Sequence, residues 1–294
     1  MTQSAFSPAR RTTLGSLGVA LLAGAYPVFG HAQTKAATLP LDDIVARNIS
    51  ARGGAAAWRS VHSLSMSGLM DVGRNAPDAR KLVEESRGAQ GKPRKRLHPE
   101  LTAAESHADT VVRLPYLIEF RRPRQMRVEI KAHDVTAIQV YDGTIGWKLR
   151  PFIGRHEVEP YSASEQRLAQ SQQELDGPLI DYAAKGTRVE LAGIDPIDGH
   201  DAYKLKLTLK NGDQLNLWID AQTFLEVRLA VPHSFGSKER AVVTTMSDYR
   251  KVGNLMLPFV LEDKVAGASI SQRIDILQVS VNPALPDSRF SKPT

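Results

Sequence analysis

Tyr203-Lys204-Leu205-Lys206-Leu207-Thr208-Leu209, then Asn211-Gly212, then Leu215-Asn216-Leu217-Trp218-Ile219 is the stretch that decides the fold class. Apolar residues recur at every second position on both sides of Asn211-Gly212. A period of two sends successive side chains to opposite faces of a strand. Asn-Gly supplies the positive-φ positions that a tight hairpin turn requires. These residues therefore read as a half-buried antiparallel hairpin, with Leu205, Leu207 and Leu217 on one face.

The same period runs through much of the chain. Leu64, Met66, Gly68 and Met70 alternate with Ser63, Ser65 and Ser67, and Met126-Arg127-Val128-Glu129-Ile130 repeats the pattern. Tyr141-Asp142-Gly143 marks a turn between strands at Val135–Tyr141 and Ile145–Leu149, and Asp198-Gly199 marks another after Val189–Ile194. Further strands are expected at Val112–Phe120, Phe224–Val231, Ala241–Tyr249, Leu257–Lys264 and Arg273–Val281. Strands joined in sequence by hairpins make an antiparallel meander, one face of which can pack while the other meets water.

Helical patterning is sparse. In Leu41–Ile49, Ile44, Val45, Asn48 and Ile49 share a face, and Asp42 and Asp43 sit in the first turn where the helix dipole favours them. Gly53-Gly54 interrupts it, and Ala55–Trp58 adds a turn. Ser162–Leu175 reads as a helix, and Pro178–Ala184 as a second short one. A large sheet with so few helices uses them to cover its apolar face. The expected class is mostly β (α+β): a strongly curved antiparallel sheet, an incomplete barrel, with helices on the concave side.

The N-terminus reads as an export signal. Arg10 and Arg11 precede an apolar run from Leu14 to Gly30, and Gly30-His31-Ala32 offers small residues at the −3 and −1 positions. Residues 1–32 are expected to be cleaved, and 33–40 to form a polar lead. Ala9-Arg10-Arg11-Thr12-Thr13-Leu14 also fits a twin-arginine signal, with the ordinary secretory route as the alternative. Ala25 follows Leu22-Ala23-Gly24 where a lipidated cysteine would stand, so a soluble, unanchored periplasmic protein is expected. No segment reaches the roughly 18 apolar residues of a spanning helix.

Charge and composition exclude several chemistries. Residues 1–32 hold two arginines and no acid, so their removal lowers the net charge from +6 to +4, too mild for a nucleic-acid footprint. There is no cysteine, which rules out disulfides, thiolate metal sites and cysteine nucleophiles. The histidines after residue 32 are scattered, with no His-x-x-x-His pair, and neither a Gly-x-Ser-x-Gly elbow nor a phosphate-binding loop is present. Residues 41–294 read as one domain. Its segment 73–110, which contains Lys92-Pro93-Arg94-Lys95-Arg96, reads as a flexible basic insertion.

An ordered set of motifs then points to a family. Ala51-Arg52-Gly53-Gly54, Trp58, Ser67-Gly68, Tyr141-Asp142-Gly143, Gly146-Trp147, Asp176-Gly177-Pro178-Leu179-Ile180-Asp181-Tyr182 and Lys185-Gly186 open it. Gly199-His200-Asp201-Ala202-Tyr203, Trp218-Ile219-Asp220, Ser247-Asp248-Tyr249-Arg250, Leu257-Pro258, Val281-Asn282 and Phe290 complete it. Together they resemble the periplasmic outer-membrane lipoprotein-sorting proteins, the LolA and LolB superfamily. The resemblance covers nearly the whole chain from Leu41, although the 73–110 insertion is longer than the family pattern.

That resemblance implies a half-barrel whose concave cavity takes up acyl chains of a lipid or lipoprotein. No motif supports catalysis, a cofactor or a metal site, so a non-enzymatic carrier is expected, with a membrane-associated donor or acceptor protein as partner. The candidate cavity residues are Leu64, Met66, Met126, Val128, Trp147, Leu205, Leu207 and Leu217, with packed core the better reading of any one of them taken alone. An envelope-sensing interaction module on the same fold is the alternative. A periplasmic hydrolase built around His133 or His200 is the third.

Overall fold

The structure is a computed structural model that describes residues 38–72, 112–151, 154–172, 175–235, 238–267 and 271–294. The expected export segment 1–32 and the expected flexible basic insertion 73–110 lie outside the described residues. Two helices open the fold, α1 (Leu41–Ala51) and α2 (Ala55–Arg59). They are separated by Gly53 and Gly54, both at positive φ. Gly53 has a second reason to lack a side chain, because a Cβ there would lie 2.0 Å from the Asn254 carbonyl oxygen.

Six strands follow: β1 (Ser63–Val72), β2 (Val112–Arg121), β3 (Gln125–Ala132), β4 (Val135–Tyr141), β5 (Gly146–Arg150) and β6 (Arg155–Pro160). After α3 (Ala163–Gln172) come seven more. They are β7 (Arg188–Ile197), β8 (His200–Thr208), β9 (Gln214–Asp220), β10 (Glu226–Phe235), β11 (Lys238–Val252), β12 (Leu255–Val265) and β13 (Ser271–Val281). All belong to one antiparallel sheet of order β6-β5-β4-β3-β2-β1-β13-β12-β11-β10-β9-β8-β7. The sheet is two meanders joined where β1 pairs with β13, and it is not closed, since β6 and β7 are its two edges.

This order fixes the path of the middle of the chain. The connection from 161 to 187 leaves one edge strand and enters the other, and within it α3 touches both β5 and β10. It is therefore a crossing segment that carries α3 and a run of turns over the sheet.

Two apolar clusters lie on the face this segment covers. In the first, Trp58 and Val61 pack on Leu64 and Met70 of β1, Tyr116 of β2, and inward residues of β12 and β13. In the second, Ile44 and Val45 of α1 pack on Tyr203, Leu205 and Leu207 of β8 and on Leu215, Leu217 and Ile219 of β9. The opposite face holds a smaller cluster of Ile197, Ala202, Trp218 and Ala230. The hairpin read from Tyr203 to Ile219 is present, with Leu205 facing Leu217 and Tyr203 facing Ile219.

Three elements differ from expectation. Residues 178–184 are consecutive turns rather than a helix, because Gly177 and Asp181 adopt positive φ on either side of Leu179 and Ile180. β6 forms although Arg155-His156-Glu157-Val158-Glu159-Pro160 is almost wholly polar; an edge strand needs no apolar face of its own. Asp287–Phe290 adds a short 3-10 turn on the outer face, where Arg289 bonds Glu119 at 2.8 Å and pairs with Glu129 at 2.9 Å.

Candidate ligand-binding cavity

The crossing segment is fastened at both ends. Ser162 and Glu165 form a capping box at the start of α3: the Ser162 N–H donates to Glu165 Oε2 at 2.7 Å, and the Glu165 N–H to Ser162 Oγ at 3.3 Å. Glu165 also accepts from Lys148 Nζ at 2.6 Å, which ties α3 to β5. Burial alone would raise the Glu165 carboxyl, but the hydrogen bonds from Lys148 and Ser162 outweigh it and hold the group below its usual range. Gln166 adds a further tie, accepting from the Gly146 N–H at 3.1 Å.

The second fastening is Asp176. Its carboxylate accepts from Lys185 Nζ at 2.8 Å and from Arg122 Nη2 at 3.0 Å, and its carbonyl accepts from Arg52 Nη1 at 3.0 Å. Burial pushes the Asp176 carboxyl up, yet the two cations together bring it below the ordinary carboxylate value. Arg52 is itself buried, stacked over Trp58 at 4.6 Å and paired with Glu226 at 3.3 Å. Gly177 leaves room for that guanidinium, since a Cβ would come within 3.0 Å of it. So anchored, Leu179 and Ile180 are driven fully into the two apolar clusters.

Beside this anchor lies a cavity of about 440 Å³. Its apolar wall is Pro178, Leu209, Leu215 and Leu229; Gln170 of α3, Thr187 and Asn211 add neutral polar groups. Arg124, Lys185 and Lys210 supply three cations, and among the described residues no carboxylate lines it. The volume falls within the range of small-molecule pockets, roughly 300–1,000 Å³.

The eight residues nominated from sequence do not line this cavity. Leu205, Leu207 and Leu217 are fully buried under α1, and Leu64 and Met126 are buried on the other half of the sheet. Met66 and Val128 pack partly buried against the first cluster. Trp147 is on the wrong face: the register Glu119–Arg127–Val140–Trp147 puts it on the outer side with the C-terminal turn, while Lys148 points in toward Glu165. The cavity lies at the turn end of the hairpin, where Leu209 and Leu215 continue the face of Leu207 and Leu217 opposite the crossing segment. The alternation marks that face; it does not distinguish which of its residues border open space.

His133 is exposed in a hairpin turn, with positive φ, and His200 is exposed at the start of β8 on the other half of the sheet. Among the described residues no three His, Asp or Glu side chains are grouped to hold a metal ion, and no helix is long and apolar enough to cross a membrane.

The open antiparallel sheet with a helix-bearing segment across one face defines a half-barrel, and the half-barrel is LolA-like. A LolA superfamily protein from Nitrosomonas europaea matches with a TM-score of 0.51 at 15% identity, over 87% of this chain and 99% of its own. A DUF1329 family protein from Desulfovibrio piger matches with a TM-score of 0.51 at 14% identity, over 86% and 98%. A protein from Vibrio parahaemolyticus described as an outer membrane lipoprotein-sorting protein domain gives 0.50 at 10% identity, over 85% and 95%. No family model matches the chain, and no curated protein matches it in sequence. At these identities the likeness is one of fold, the same fold that the motif resemblance implied.

Proposed function

We propose that this protein is a non-enzymatic periplasmic carrier or binder of lipid or lipoprotein acyl chains. The observation that carries the reading is the apolar wall of Leu209, Leu215, Leu229 and Pro178 around about 440 Å³ of space on a LolA-like fold. A cavity wall of branched apolar side chains favours an apolar guest because burying that guest removes its surface from water. Loading and release need no cofactor. They need the crossing segment to open at α3 and a membrane-associated partner to give or take the cargo.

The test is extraction of protein purified from the periplasm with organic solvent, together with titration of a fluorescent acyl-chain probe. Co-purifying lipid and saturable probe binding are expected. Lipid-free protein that also ignores the probe overturns the reading.

One observation favours a second reading, an interaction module that senses envelope state. Leu205, Leu207 and Leu217, at 0%, 0% and 1% exposure, are packed core. Specific capture of an envelope protein, with no acyl binding, is its signature.

A further inference from the structure

We propose that the cavity selects acyl chains bearing an anionic head group, and that Lys210 is the head-group contact with Arg124 beside it. The proposal rests on the acyl-binding reading and names the class of ligand. Its ground is the uneven distribution of charge and burial around the cavity. Leu215 of the apolar wall is buried, whereas Arg124 and Lys210 are exposed. An amphiphile seated here would put its chain against the leucines and its head group among cations at the water-facing rim.

The three cations are not equivalent. Lys185 is already balanced by Asp176 at 2.8 Å, and it also donates to the Gly177 carbonyl at 2.9 Å. Lys210 forms no ion pair among the described residues. Its stem has a built seat: the Cβ, Cγ and Cδ atoms lie 3.3–3.5 Å from where a Cβ on Gly186 would be. Gly186 is at positive φ and brings the crossing segment onto the stem without a side chain between them. A lysine whose stem lies along packed chain while its ammonium reaches water is placed to meet a charge at the rim.

The volume limits the chain. At about 440 Å³ the cavity lies in the lower half of the range for small-molecule pockets, which suits a single-chain amphiphile better than one of two or three chains. A carboxylate or a phosphate monoester on a single chain supplies the same chemistry at the rim, and the assay separates these sources.

The experiment is displacement of a neutral acyl probe from the purified protein by palmitate, 1-hexadecanol and a palmitoyl lysophosphatidate. It is run on the natural chain, Lys210→Gln and Arg124→Gln, with a thermal scan of each. Palmitate or lysophosphatidate is expected to bind roughly fivefold or more tightly than hexadecanol, and Lys210→Gln to remove most of that preference by weakening the two anions more than the alcohol. Tighter lysophosphatidate assigns the phosphate, tighter palmitate the carboxylate. Equal binding of palmitate, lysophosphatidate and hexadecanol, or equal weakening of all three by Lys210→Gln, overturns anion selection and leaves acyl binding standing. Binding of no amphiphile overturns the acyl-binding reading as well.

Discussion

Leu179 and Ile180 are neighbours in the chain but belong to different cores: Leu179 is buried with β8 and β9, and Ile180 with β1, β12 and β13. The two turns that flank them, at Gly177 and Asp181, present these side chains to opposite halves of one sheet. Leu179→Ala and Ile180→Ala should each lower unfolding stability by about 2–5 kcal/mol, the usual cost of a large-to-small change at a fully buried site. Urea denaturation of each variant measures it. A loss under ~1 kcal/mol for both means that the crossing segment does not join the halves.

Asp176→Asn should unmake the anchor in a pH-dependent way. The folded carboxyl sits below its ordinary value, so its contribution is complete above the unfolded pKa and fades as pH falls through the folded one. At neutral pH the variant should be less stable by about 2 kcal/mol, because Arg122 and Lys185 lose their buried partner yet still reach water. The gap should narrow below pH ~4. A gap that stays constant from pH 7 to pH 3 contradicts the ion-pair account.

Two leucines on one face should behave oppositely. Leu207→Ala, in the packed cluster, should cost about 2–5 kcal/mol of stability and leave acyl-probe affinity intact. Leu209→Trp, at the cavity wall, should weaken the probe at least roughly tenfold, since the indole occupies ligand space, with a Tm close to that of the natural chain. If Leu209→Trp binds the probe normally, the ligand sits elsewhere.

Gly68→Ala tests the closeness of β1 to β13. A Cβ at Gly68 would lie 2.0 Å from the Asp275 carbonyl oxygen, a backbone atom with no rotamer to escape into. The strands must part, at a cost of about 3 kcal/mol. Thermal unfolding of Gly68→Ala measures it, and an unchanged Tm contradicts so tight an approach.

The export reading has its own test. Fractionation of cells making the full chain should recover a shortened protein in the periplasm. With Arg10→Lys and Arg11→Lys together, continued export assigns the ordinary secretory route and retention assigns the twin-arginine route.

Much of the sheet was legible because the cause is local. Alternation around Asn211-Gly212 and through Ser63–Met70 reports the backbone's own period, and tertiary context had little to override. The misses arise where the cause is distant. Ile145, Trp147 and Leu149 alternate correctly, but which phase faces inward depends on Lys148 finding Glu165 seventeen residues on, and on the C-terminal turn covering the other side. Pro178–Ala184 has helix-compatible composition, yet Asp176 is pulled to Arg122 and Lys185 and the chain turns instead. The cavity is not readable at all: it depends on the space left between the crossing segment and the turn end of β8 and β9, and no spacing in either strand encodes that.

The pairing of β1 with β13 has a consequence for the order of assembly. Every other strand pair is made between consecutive strands, so each meander can grow hairpin by hairpin as the chain emerges. The junction cannot: Leu64 must wait for Val281, and Met70 for Ile274. Until Ser271–Val281 has been synthesised the two ribbons are joined by the crossing segment alone, and their unpaired inner edges are open to pairing with another chain. A nascent chain stalled before β13 would thus be a substrate for holding chaperones, and the arrival of that one strand would end its dependence on them.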